Sequence, residues 1–129
     1  MTTKTRIISF TNLIAWQEGH RLVLFIYEVT KQFPKEELFG LGSQMRRAVV
    51  SITSSIAESF SHKTTKEKIQ FYKTSIGSLL ELQNQIIISR DLGLISEKMY
   101  KTIYAQTIMV QKIMHGLANK VPDDQCAKY

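Results

Sequence analysis

The chain has 129 residues, which is enough for one domain with its own hydrophobic core and too few for two domains of ordinary size. Its net charge of +6 favours an anionic partner, nucleic acid or an acidic protein surface, although an excess of lysine also keeps proteins soluble. A single cysteine, Cys126, excludes an internal disulfide and indicates a reducing, cytoplasmic setting. We expect neither a signal peptide nor a membrane span, because every apolar run is shorter than the roughly 18 residues that cross a bilayer.

Apolar residues recur at helical spacing in four segments of the chain, and no segment alternates as a strand does. The predicted helices cover 12–32, 42–60, 65–92 and 97–119, and a loose polar tail follows from about 122 to 129. Because the connections are short, consecutive helices are expected to run antiparallel. The sequence therefore predicts one all-α domain, an antiparallel up-and-down four-helix bundle.

The ends of the predicted helices carry residues that suit helix caps. The first helix should stop before Pro34, since a residue that precedes proline is pushed out of the helical region. Thr64 and Glu67 have the spacing of a capping box at the start of the third helix. Gly93 suits the left-handed position after its end, and Ser96 is placed to cap the fourth helix.

The first helix has more apolar surface than one core needs, because its apolar side chains cluster on two sides. One cluster holds Leu13, Trp16, Val23, Leu24 and Tyr27, and the other holds Ala15, Leu22, Ile26, Val29 and Phe33. A second apolar face on a single bundle would form a large exposed patch, which usually marks an interface. We therefore predict a homo-oligomer and assign its interface to Leu22, Ile26, Val29 and Phe33, with the other cluster as the alternative face. A central position of this helix inside one bundle would also account for both clusters.

No arrangement typical of catalysis or metal binding occurs in the sequence. The three histidines, His20, His62 and His115, are far apart and lack a second ligand at helical spacing. Phosphate-binding glycine loops and a nucleophile elbow are absent from the sequence. Gly77, in the middle of the third helix, is explained more simply by the close approach of another backbone than by chemistry. We expect no enzymatic activity, no cofactor and no metal.

Basic residues are the main indication of function. The candidates are Arg46 and Arg47 on the second helix, and Lys63, Lys66, Lys68 and Lys73 around the start of the third. Lys66 and Lys73 project on one side, away from the apolar stripe, as residues that contact phosphates would. We take these six residues as candidate nucleic-acid contacts. A solvated surface is an alternative use of them, and so is an ion-pair network between Arg47 and Glu58.

Short motifs along the chain form an ordered set. The set comprises Trp16, Phe33-Pro34, Gly40-Leu41, Ser43-Gln44, Arg46-Arg47-Ala48, Ser51-Ile52, Ile56-Ala57-Glu58, Gly77-Ser78, Glu81-Leu82 and Leu92-Gly93. Together these motifs resemble the bacterial four-helix-bundle family of 23S rRNA intervening-sequence proteins, over about 13–117. The resemblance implies a pentameric ring of four-helix bundles and a role in RNA binding. A related group with a similar fold serves as accessory proteins of retroelement reverse transcriptases.

These observations predict a non-enzymatic, cytoplasmic homo-oligomer, which the resemblance makes a pentamer. Its predicted ligand is structured RNA, or nucleic acid generally, held by the six basic residues. The alternative is a protein-interaction scaffold or an accessory subunit of a nucleic-acid enzyme such as a reverse transcriptase, whose partner is another protein.

Overall fold

The computed structural model describes residues 9–61 and 64–119. Four long helices make up most of these residues: α1 is Ile14–Thr30, α2 is Ser43–Ser59, α3 is Thr65–Asp91 and α4 is Glu97–Asn119. A short 3-10 turn, Phe10–Asn12, precedes α1, and no strand occurs in the described ranges. The all-α prediction is therefore confirmed for this part of the chain, whereas the predicted tail at 122–129 lies outside it.

Neighbouring helices run antiparallel, as the residues that meet across each pair indicate. Gly19 meets Thr53 and Thr30 meets Arg46, so rising numbers in α1 face falling numbers in α2. The same reversal relates α2 to α3 and α3 to α4, through Ser51 with Ser78, Met45 with Ser89, Gln83 with Thr107 and Arg90 with Tyr100. The bundle closes where α4 packs against α1, and there the Gln106 amide donates to the Glu18 carbonyl at 2.9 Å.

The connection between α1 and α2 is more helical than predicted. After Pro34 the chain forms a short helix, Lys35–Glu37, which continues through the π-helical segment Leu38–Gly42 directly into α2. The Pro34 carbonyl accepts hydrogen bonds from the amides at positions 37 and 38, at 2.9 and 2.8 Å. Gly42 is buried and packs closely, since an added Cβ would lie 3.3 Å from Leu38 Cδ1.

The predicted helix caps are confirmed. The Glu67 amide donates to Thr64 Oγ1 at 3.2 Å, and the Thr64 amide donates to Glu67 Oε1 at 2.8 Å, which completes the capping box. Gly93 has a φ of 75°, and the next amide donates back to the Ser89 carbonyl at 2.9 Å. At the start of α4 the Met99 amide donates to Ser96 Oγ at 3.1 Å. Local sequence alone thus determines these three ends.

All four helices contribute to one hydrophobic core. Its fully buried side chains are Leu22 and Ile26 of α1, Met45, Val49, Ile52 and Ile56 of α2, Leu79, Leu82 and Ile86 of α3, and Ile103, Val110 and Met114 of α4. Burial of a Leu, Ile, Val or Met side chain contributes about 1.5–3 kcal/mol to the free energy of folding. The core is the main source of stability. The ion pairs Arg21–Glu18, Lys31–Glu28 and Arg90–Asp91 are partly or largely exposed, and ion pairs of this kind contribute little to the free energy of folding.

The oligomer interface predicted on α1 is wrong. Leu22, Ile26, Val29 and Phe33 are 0–5% exposed in the single chain, so a second copy cannot reach them. The exposed apolar side of α1 is the other cluster, in which Leu24 is 57% exposed. Periodicity reveals two apolar sides but not which side the bundle buries. The side of α1 that carries Gly19 packs closely against α2, because an added Cβ at Gly19 would lie only 3.0 Å from Thr53 Cγ2. This close approach favours burial of the Leu22 and Ile26 cluster.

Candidate nucleic-acid interface

Arg46 connects α1 and α2. Its guanidinium carbon lies 4.5 Å from the centre of the Tyr27 ring, Nε donates to Thr30 Oγ1 at 2.8 Å, and Nη2 donates to the Tyr27 carbonyl at 3.4 Å. The Thr30 hydroxyl is buried and in turn donates to the Ile26 carbonyl at 2.7 Å. Most of the Arg46 side chain is therefore engaged within the chain, and little of it remains for a phosphate.

Arg47 lies one residue further along α2 and borders α3. It lines a cleft of about 340 Å³ between the two helices, together with Gln44, Ala48, Ser51, Ser78 and Glu81. The Ser51 and Ser78 hydroxyls are hydrogen-bonded to each other at 2.8 Å. Arg47 is exposed and has no hydrogen bond or ion pair with any residue that the structure describes, so the alternative ion pair with Glu58 is not formed there.

The candidate lysines lie at the other end of the bundle. Lys66, Lys68 and Lys73 belong to the first turns of α3; the first and last of them are exposed, and Lys68 is half-buried. Lys63 lies outside the described residues. The helix rise places Arg46 about 20 Å from the last turn of α2, which leads into α3. The structure therefore does not gather the predicted contacts into one strip.

Two lysines of α4 extend the basic surface and were missed by the sequence analysis. Lys101 and Lys112 are exposed, and their spacing of about three turns puts both on the outer side of α4. Lys66 and Lys73 lie on the outer side of α3, which packs beside α4. We call these four residues the lysine face. Among the described residues, Glu18 pairs with Arg21, Glu28 with Lys31 and Arg90 with Asp91, and none of these three ion pairs involves Lys66, Lys101 or Lys112.

The signal that could have revealed the lysine face is the spacing on α4. Lys101 and Lys112 are isolated in the sequence, whereas Lys66 and Lys68 belong to a run of charges that draws attention. A helical projection of α4 separates the two lysines from the buried residues Ile103, Val110 and Met114.

The face between α1 and α2 is apolar and open. Phe39 is 74% exposed there, and Tyr27 and Val50 are exposed with it, whereas exposed Leu24 projects from the outer side of α1. A cleft of about 510 Å³ on this face is lined by Tyr27, Leu38, Phe39, Ser43, Arg46, Arg47 and Val50. We call Tyr27, Phe39 and Val50 the α1–α2 face.

The face between α4 and α1 is a second apolar surface. Ile14 is 64% exposed, and it borders a cleft that also contains Leu13, Ile113 and Leu117. Further along the same pair of helices, Phe25 and Met99 line another cleft. We call Ile14, Phe25, Met99, Ile113 and Leu117 the α4–α1 face. Because both faces border α1, this helix is the centre of the exposed apolar surface.

The histidines of the described chain are not arranged as ligands. His20 stacks on Trp16 with ring centres 4.7 Å apart and an angle of 13° between the rings, and His115 is exposed on α4. His62 lies outside the described residues. Within residues 9–61 and 64–119 no three His, Cys, Asp or Glu side chains come together as a metal site. None of the described helices is long and apolar enough to cross a membrane.

The fold defines a class of protein: a four-helix bundle with open clefts and exposed apolar faces on its surface. Comparison with known families narrows this assignment. The model of the 23S rRNA-intervening sequence protein family matches residues 11–116, and the chain belongs to that family. The search of curated proteins found no match. Family membership agrees with the resemblance drawn from the motifs, which covers nearly the same residues.

Proposed function

We propose that this protein is a non-enzymatic homo-oligomer that binds RNA, or nucleic acid generally, through phosphate contacts. The observation that carries the proposal is the separation of surfaces around the bundle. The apolar faces border α1, whereas the lysine face lies on α3 and α4, opposite the α1–α2 face. Apolar surfaces of this kind are buried when copies associate, and lysines away from the contact stay available to phosphates. The family is named for intervening sequences of 23S rRNA, which makes structured RNA the first ligand to consider.

The two apolar faces favour a ring over a two-fold dimer. They are different surfaces, so a contact between them is heterologous, and such contacts repeat until the rotation closes. Adjacent faces of a bundle with a square cross-section point about 90° apart. A closed ring needs about 90° between its contact faces for four copies and about 108° for five. The arrangement therefore supports a ring of this size, within which the pentamer implied by the resemblance falls.

The ring geometry also orients the lysine face. When the two contact faces share α1, that helix points toward the ring axis and α3 points outward. Each copy then adds lysines to the outer surface of the ring. Repeated weak phosphate contacts on one particle gain affinity through their high effective concentration.

Filter binding to structured fragments of 23S rRNA at two salt concentrations tests the proposal. We expect affinity to fall as salt rises, because each phosphate contact releases counterions. Replacement of Lys66, Lys73, Lys101 and Lys112 by glutamine should weaken binding at low salt by about tenfold or more and flatten the salt dependence.

A matched control replaces Arg21, Lys31, Lys35 and Lys98 by glutamine, which lowers the net charge equally at exposed positions outside the lysine face. This control should retain most of the affinity. Equal losses in both variants would assign binding to total charge and not to the lysine face. No binding at low salt, or binding that ignores salt, would contradict the proposal.

A protein-interaction scaffold is the second candidate. It is favoured by exposed Phe39, which shares the α1–α2 cleft with Arg46 and Arg47. Aromatic and arginine side chains are enriched where proteins bind one another. In this case the chain should co-purify with a defined protein after nuclease treatment, and Phe39→Ser should release that protein.

A further inference from the structure

The cleft between α2 and α3 brings together residues from five of the sequence motifs, three on α2 and two on α3. Gln44, Arg47, Ala48, Ser51, Ser78 and Glu81 line it, and every one belongs to the ordered motif set of the sequence. Gln44, Arg47 and Glu81 are exposed, so the core does not require them. A group of exposed polar residues that the fold brings together from two helices indicates a binding site.

The two walls of the cleft offer opposite hydrogen-bonding groups. Arg47 supplies donors from α2, and Glu81 supplies a carboxylate from α3. No ion pair within 4.0 Å joins them, although both line the cleft. A ligand group that accepts hydrogen bonds on one edge and donates them on another can therefore fit between the two charges.

The buried side-chain amide of Gln85 contacts the Glu81 carboxylate. Gln85 is 4% exposed, and its Nε2 donates to Glu81 Oε2 over a long 3.4 Å. Gln85 Oε1 is buried without a hydrogen-bond partner among the described residues. This contact leaves Glu81 Oε1 and the remaining lone pairs of Oε2 free to accept hydrogen bonds.

We propose that this cleft binds a guanine base. Guanine presents two parallel donors, N1–H and the N2 amino group, that match a carboxylate, and two acceptors, O6 and N7, that match an arginine. The other three RNA bases lack this pair of adjacent donors beside acceptors. A phosphate fits less well, because Glu81 would repel it. The inference rests on the proposed RNA binding and adds to it a nucleotide in a loop or single strand, since the Watson–Crick edge must be free.

Fluorescence polarisation with single-stranded RNA probes tests the assignment. The probes are oligouridylates with one central guanosine, inosine or adenosine, and inosine differs from guanosine only by lacking the N2 amino group. The guanosine probe should bind about five- to tenfold more tightly than either of the other two. Glu81→Gln should remove this preference and Arg47→Lys should reduce it. Glu58→Gln, at an exposed glutamate of α2 outside the cleft, should keep it.

Each outcome separates the guanine site from RNA binding in general. Equal affinity of the native protein for the three probes, with the salt dependence retained, overturns the guanine site and leaves the proposed function standing. If no probe binds at low salt, the proposed RNA binding is contradicted. Equilibrium dialysis with single nucleotides then tests the guanine site separately. The guanine site is supported if the protein retains guanosine monophosphate better than inosine monophosphate and Glu81→Gln loses this preference. Equal retention of the two nucleotides overturns the site. If the native protein shows no base preference and Glu81→Gln lowers the mass of the oligomer, the cleft binds a second copy of the chain. This result also overturns the guanine site.

Discussion

Arg46 and Arg47 are adjacent in the sequence but have different environments. A step of about 100° on a helix puts one beside α1 and the other beside α3. Arg46 packs over Tyr27 and donates to Thr30, whereas Arg47 has no described partner. The sequence suggests a single basic pair, but in the structure the first arginine is engaged within the chain and the second is exposed.

Replacing each arginine by glutamine should separate these roles. Arg46→Gln should lower the free energy of unfolding by about 1–2 kcal/mol, because it removes a stacked cation and a hydrogen bond to a buried hydroxyl. Arg47→Gln should change the free energy of unfolding by less than about 0.5 kcal/mol, as exposed substitutions usually do. Urea unfolding followed by circular dichroism measures both. Equal destabilisation by the two variants would contradict the division.

Helix ends are predictable from this sequence because their causes are local. Thr64 and Glu67 cap each other within one turn, and Gly93 takes the left-handed conformation that most residues avoid. The burial of helix faces depends on partners that the sequence does not specify. Leu24 and Leu22 are equally apolar, yet Leu24 is exposed because the close contact of Gly19 with α2 turns the other side of α1 inward.

The inward side of α3 is harder to predict because polar residues occupy part of it. Ser75, Gln83 and Ser89 are buried and hydrogen-bonded to neighbouring helices or to the helix backbone, while Leu80 remains exposed. An apolar stripe therefore does not coincide with the core. The spatial grouping of the basic candidates is hard to predict for a related reason. Charge identifies Lys66 and Arg46 equally well, but the packing of the helices puts them at opposite ends of α2.

Replacement by alanine should have opposite effects on stability at two glycines, one within α3 and one in the turn that follows it. Gly93→Ala should destabilise the protein by about 1 kcal/mol, because its φ of 75° is costly for a residue with Cβ. Gly77→Ala should stabilise it by about 0.5–1 kcal/mol, because position 77 is exposed and mid-helical and nothing lies within 4 Å of an added Cβ.

Thermal unfolding of both variants checks this pair. The single chain does not provide the close backbone approach that Gly77 led us to expect. If Gly77→Ala destabilised the protein, the approaching backbone would have to come from another copy, and the comparison of helix propensities would be wrong.

The molecule as a whole distributes its surfaces unevenly around four helices. Apolar side chains border α1 on both sides, a polar cleft lies between α2 and α3, and lysines occupy the outer sides of α3 and α4. A monomer would leave both apolar faces in water. The proposed association through α1 would cover them and keep the cleft and the lysines accessible, so one arrangement would account for all of these surfaces.

Light scattering on the purified chain and on Phe39→Glu, a change in the α1–α2 face, tests this arrangement. The native protein should have a mass several times the 14.8 kDa of one chain, whereas the variant should fall toward 14.8 kDa, because a carboxylate buried in an apolar contact costs several kcal/mol. Leu92→Glu is the matched control, since Leu92 is 59% exposed but lies outside both apolar faces, and it should keep the native mass. The dissociated variant should also bind RNA more weakly while its lysines are intact, because separate copies lose the gain from repetition. A native mass near 14.8 kDa would remove the ring and require the α1–α2 face to bind a different partner.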